Sequence, residues 1–167
     1  KTRGIFGEIS LKNILENIFG PNNDKIYKLQ YTLPNGTIAD SILFTPKPLG
    51  NIAIDSKFPL ENFQRMMDKK LSKEERMHAE KLFISDMKKH IDAISNKYII
   101  PNITADQAIL FLPAEAIFAE INAYYPEIIT YSYKKRVWIT SPTTLISTLT
   151  TIQIIIKNIE RDKHANV

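Results

Sequence analysis

The chain has 167 residues, of which 44% are hydrophobic and 24% charged, a globular composition that excludes disordered and fibrous classes. With no cysteine, it has no disulfide, no thiolate zinc or iron–sulfur site and no thiol nucleophile, which fits a reducing, cytoplasmic compartment. Its net charge of +4 is compatible with a polyanionic partner. The longest apolar runs, such as Ile152 to Ile156, fall far short of the roughly 20 residues that span a bilayer, so no membrane contact is expected of this domain. The chain opens at Lys1 with neither an initiator Met nor a charged-then-apolar leader. It reads as a single domain, residues 1–167, taken from a longer protein.

Leu11, Ile14, Leu15 and Ile18 lie at helical spacing before Gly20-Pro21, so the spacing predicts a helix over 7–19. Tyr27, Leu29, Tyr31 and Leu33 alternate as a half-buried strand does, and Pro34-Asn35-Gly36 turns the chain into a second strand over 37–45. A turn at 46–50 leads to a third strand over 51–58. Met77, Ile84, Met87, Ile91, Ile94 and Tyr98 mark the apolar stripe of a long helix over 74–98. Ala108 to Leu112 suit a buried strand, Pro113 opens a helix to about Ala123, and Arg136 to Thr140 form another strand. Leu145, Leu149, Ile152, Ile156 and Ile159 define a last helix. The order αβββαβαβα implies an α/β fold, a mixed sheet with flanking helices.

Several acids fall on faces meant for the core. In the second strand Ile38, Asp40, Ile42 and Phe44 share one face, and a buried carboxylate is costly unless paired or bound to a metal. In the third, Asp55 and Lys57 project together while Ile52, Ile54 and Phe58 take the other side. If the turn centres near Lys47 or Pro48, residues whose numbers sum to about 95 face each other, which pairs Asp40 with Asp55. Glu8, three residues before Leu11, is expected to point inward along the first helix. Three acids around one lysine make an oxygen-ligand site suited to Mg²⁺ or Mn²⁺. Acid-x-Lys triplets alone carry no weight, since Asp68-x-Lys70 and Asp86-x-Lys88 match as well, but neither of those has strand context. From the residues alone, a structural ion pair and a catalytic cluster both remain open for Asp40, Asp55 and Lys57.

An acid on one strand, Asp-x-Lys on its hairpin neighbour and a preceding helix bearing Glu together resemble the PD-(D/E)xK nuclease superfamily. More closely, the chain resembles the RmuC family of DNA recombination proteins. The resemblance rests on Arg3-Gly4-Ile5-Phe6-Gly7-Glu8, Ala39-Asp40, Ile54-Asp55-Ser56-Lys57-Phe58-Pro59-Leu60, His90-Ile91, Ser95-Asn96-Lys97-Tyr98, Phe111-Leu112-Pro113-Ala114-Glu115 and Ser141-Pro142-Thr143-Thr144-Leu145. Phe6 stands where the family usually has Trp, and Ala39 where it usually has Pro. The resemblance implies a restriction-endonuclease-like sheet and a role in DNA recombination or rearrangement control, with metal-dependent DNA hydrolysis. It also implies an N-terminal membrane anchor and coiled coil elsewhere in the full-length protein, with oligomeric partner chains.

Under that reading Asp40, Asp55 and Glu8 hold Mg²⁺ or Mn²⁺, with the Ser56 main-chain carbonyl as a further ligand, and Lys57 orients the attacking water or neutralises developing charge. Arg76, Phe83, His90 and Lys97 form a second stripe on the long helix, from which Arg76, His90 and Lys97 are candidate contacts to DNA, branched or repeat-containing. Lys134-Lys135-Arg136 is a basic run best read as a solvated loop. Glu115 and Thr143 stand at helix starts, where dipole and capping roles compete with phosphate binding. The competing class is a catalytically silent DNA-binding or scaffolding module, and a phosphoesterase acting on RNA or small nucleotides would use the same metal chemistry.

Overall fold

The computed structural model describes residues 2–165, except the side chains of Thr2 and Arg3, so the Arg3 side chain of the opening motif lies outside the described residues. The elements are α1 (Thr2–Phe19), β1 (Tyr27–Thr32), β2 (Ile38–Leu43), β3 (Ile52–Ser56), α2 (Leu60–Met67), α3 (Lys73–Tyr98), β4 (Ala108–Phe111), α4 (Glu115–Tyr124), α5 (Pro126–Lys134), β5 (Val137–Thr140) and α6 (Pro142–Ala165). The strands lie in the order β1-β2-β3-β4-β5. The first three run antiparallel through hairpins, and β3, β4 and β5 run parallel. The fold is therefore α/β with an open five-stranded mixed sheet, as expected.

Parallel strands need crossovers that cover a face, which is why β4 is buried along its whole length while β1 stays mostly exposed. On one side, Ile42, Ala53 and Leu110 meet Met87, Ile91 and Ile94 of α3. On the other, Leu43, Ile54, Ile109 and Phe111 meet Leu11 and Leu15 of α1 and Leu145 and Leu149 of α6. Ser72 starts α3 with a reciprocal capping box to Glu75.

Several expectations need correction. Helix α1 begins at Thr2, well before residue 7, and two helices, α2 and α5, were not foreseen. Both are short, so neither shows enough turns to reveal a period. Strand β3 ends at Ser56, and Phe58 beyond it packs with the α3-side cluster instead of sharing the face of Ile52 and Ile54. On α3, Met77 is exposed and Ile84 only half-buried, whereas Phe83, assigned to the polar flank, is wholly buried. Ile38, the first apolar neighbour of Asp40 on its face, is 55% exposed. Among the described residues, no helix is long and apolar enough to cross a membrane.

Candidate functional site

The β2–β3 register pairs Ser41 with Ile54, Ile42 with Ala53 and Leu43 with Ile52, so each pair of numbers sums to 95 and the same register sets Asp40 opposite Asp55. Asp55 is only 4% exposed, and its Oδ2 receives Lys57 Nζ at 2.9 Å. The Lys57 main-chain N–H donates to the Phe111 carbonyl at 2.9 Å, which carries the sheet one residue past β3 and holds the lysine beside the acid. Asp40 Oδ2 accepts the Ser56 N–H at 2.7 Å, and Gln30 Nε2 approaches Oδ1 at 3.5 Å. Gln30 has a positive φ of 48° inside β1, a costly conformation for a non-glycine residue, directly across from Asp40.

One lysine cannot neutralise two facing acids. Burial, then the Asp55 charge and a hydrogen bond shared with the Asp55 carboxyl, push Asp40 up to about 6, against the opposing effect of the Ser56 N–H. The Glu8 charge adds a smaller upward push. The site lies where β3, β4 and β5 end, the side of an open α/β sheet on which ligand crevices form.

Glu8 is exposed, which corrects its expected inward aim; the buried face of α1 carries Gly7, Leu11 and Leu15 instead. Gly7 makes the approach possible: a Cβ there would stand 2.1 Å from Ser56 Oγ and 3.3 Å from Ser56 Cβ. Glu8 still borders Asp40 across a groove of ≈ 180 Å³ lined also by Ile9, Lys12, Leu29 and Gln30. Among the described residues, no three acidic or imidazole side chains converge tightly enough to cage an ion. The acid pair is the nucleus of the site, with Glu8 at its rim and Ser56 as the main-chain element between them.

His90 is half-buried, and burial followed by the nearby Lys57 charge lowers its pKa, while Asp86 and Asp55 act the other way, so its imidazole stands beside the cluster. Arg76 is partly buried, with its Nε atom lacking a hydrogen-bond partner, and Lys97 is exposed. Tyr98, counted in the apolar stripe of the long helix and in one of the resemblance segments, was assigned no part in the site. Its hydroxyl donates to the Ile38 carbonyl at 2.9 Å, and burial followed by the charges of Asp55 and Asp40 pushes it up to about 12. Its polar tip was hidden within an apolar stripe.

Lys134-Lys135-Arg136 precedes β5 and so lies at the opposite end of the sheet, where Lys135 pairs with Asp92 at 3.6 Å and Arg136 approaches Asp106 at 4.0 Å. Glu115 Oε1 accepts the Thr143 N–H at 2.7 Å, so the start of α6 is served by a carboxylate from α4. Slight burial acts to raise the Glu115 pKa, but hydrogen bonds from the Thr143 N–H and from the Thr143 and Ser141 hydroxyls outweigh it and lower the value.

Together these features define an α/β protein with a facing carboxylate pair and a lysine at the carboxyl end of its parallel strands. A family model described as the RmuC family matches residues 1–167, and the chain belongs to that family. It is similar to the DNA recombination protein RmuC homolog of Xylella fastidiosa (strain Temecula1 / ATCC 700964), at 27% identity over 169 residues, covering 92% of this chain and 35% of the relative. DNA recombination protein RmuC of Escherichia coli (strain K12) is 29% identical over 159 residues, covering 91% and 33%. The homolog of Pseudomonas aeruginosa (strain PAO1) is 26% identical over 176 residues, covering 99% and 37%. The chain spans about a third of the length of these relatives. No solved structure matches it.

Proposed function

We propose that this domain hydrolyses DNA phosphodiesters with a divalent cation, as a PD-(D/E)xK-type nuclease acting in DNA recombination. The observation that carries the reading is the facing pair Asp40 and Asp55 with Lys57 at 2.9 Å from the second acid. Kinship with proteins named for DNA recombination supports DNA as the substrate.

The residues fit a hard cation in their chemistry. Burial and then the facing Asp55 charge hold Asp40 near 6, a positive charge beside the pair would relieve both, and all the available donors are oxygens. Asp40 and Asp55 would hold Mg²⁺ or Mn²⁺, with the Ser56 carbonyl and, on turning inward, Glu8 completing the set. When bound, the ion supplies a lowered water pKa and charge stabilisation on phosphoryl oxygens. Lys57, paired with Asp55 at 2.9 Å, orients the attacking water or offsets developing charge. Water adds to phosphorus, the bond to the leaving sugar oxygen breaks, and that oxygen takes up a proton. His90, whose pKa is lowered by burial and then by the Lys57 charge, offers a hydrogen bond to the scissile strand.

Purified protein with Mn²⁺ or Mg²⁺ is expected to cut linear, nicked or branched DNA, and Asp55→Asn to lower the rate by about 100-fold or more, beyond what changes around metal ligands usually cost. Calorimetry should detect Mn²⁺ binding that Asp40→Asn removes. Intact DNA together with no Mn²⁺ binding would overturn the reading in favour of a silent DNA-binding or scaffolding module, which the exposed Glu8 favours.

A further inference from the structure

Beside the acid pair lies an aromatic surface that the hydrolytic reading leaves unused. Phe6 on α1 is 52% exposed, and its ring sits 5.8 Å from that of Phe58 at an interplanar angle of 37°. Phe58 directly follows Lys57, is half-buried and is anchored in the α3-side core. Phe6 directly precedes Gly7, whose close approach to Ser56 fixes the helix against the end of β3. Both rings are thus held by the segments that carry the site, with one face of the pair open to solvent. Farther along α1, Ile9 is 52% exposed and lines the groove beside Asp40 together with Lys12.

The paired rings of Phe6 and Phe58 thus stand next in sequence to Gly7 and Lys57, the residues that seat α1 and partner Asp55. Base-on-aromatic stacking requires a free π-face, which a paired duplex offers only at its ends. We infer that Phe6, braced by Phe58, is a stacking platform for an unpaired base, so that the substrate enters the site as a single strand or a frayed end. This deepens the hydrolytic reading and rests on it.

The test measures binding by fluorescence anisotropy, with a labelled 12-nucleotide oligothymidylate and a duplex of equal charge sealed at both ends by non-nucleotide linkers, in EDTA so that hydrolysis plays no part. The full chain is compared with Phe6→Ala, Phe6→Leu, Phe6→Trp and Asp55→Asn. Oligothymidylate should bind more tightly than duplex. Phe6→Ala and Phe6→Leu should weaken the single strand about 5- to 100-fold while leaving duplex binding unchanged, and Phe6→Trp should retain or improve it. Leu keeps the apolar area, so a purely packing role would spare that variant. Equal loss on both DNA forms, no loss in Phe6→Ala, or full binding in Phe6→Leu overturns the proposal. So does a monomer–oligomer shift in Phe6→Ala by light scattering, which would assign the face to another protein chain. Asp55→Asn separates the two readings. If the strand preference holds while cleavage by the unmodified chain is absent, the hydrolytic reading fails; if cleavage is present without the preference, the platform fails.

Discussion

Asp40 and Glu115 are two acids at the same end of the sheet, and their surroundings push them in opposite directions. Glu115 accepts a main-chain N–H and two hydroxyl hydrogen bonds, and its charge is welcome there. Asp40 accepts one main-chain N–H but faces Asp55, and its charge is resisted. The first acid secures a helix start, and the second is held in a pairing that costs stability in the absence of a counter-charge. A carboxylate kept at such a cost is the stronger candidate for chemistry.

Four substitutions test this contrast. Lys57→Met leaves Asp55 buried without its partner and should destabilise the fold by about 2–3 kcal/mol at pH 7.5, read by urea unfolding. Asp40→Asn removes the repulsion and keeps an acceptor for the Ser56 N–H, so it should stabilise by about 1–2 kcal/mol at pH 7.5. Because the folded value near 6 exceeds the unfolded 3.8, Asp40's contribution is fully present below about 3.8 and is lost as pH rises through 6; thermal melts of Asp40→Asn should lack that loss. Tyr98→Phe strands the Ile38 carbonyl and should cost about 1 kcal/mol, with weaker Mn²⁺ binding at the neighbouring pair. Glu115→Gln should have the smallest effect. The Glu115 pKa is lowered, so its contribution is present above the usual 4.5 and lost as pH falls through the folded value, and the two proteins should converge in acid.

Much of this contrast was legible in the chain, and the rest was hidden for identifiable reasons. Strict alternation in β2 and β3 and a turn bounded by Pro46 and Gly50 were enough to place Asp40 opposite Asp55, because a strand's period leaves no other face for them. Glu8 was misread because helical spacing from Leu11 does not say which side of a two-residue-wide boundary is buried, and Gly7, with no side chain, carried no apolar signal. Phe83 was displaced from the core for a related reason: α3 packs along Ala79, Phe83, Met87, Ile91 and Ile94, a stripe one position away from Met77 and Ile84. The Glu115–Thr143 contact joins residues 28 apart in sequence, and no local pattern announces such a pair.

The Gly7–Ser56 contact makes the helix and the acid a single lever. The residue whose side chain lies against the bare helix backbone is the same one whose N–H steadies Asp40. Tilting α1 away from the sheet therefore shifts the support of the carboxylate in the same movement, so the alignment of the pair reports directly on how the first helix is seated.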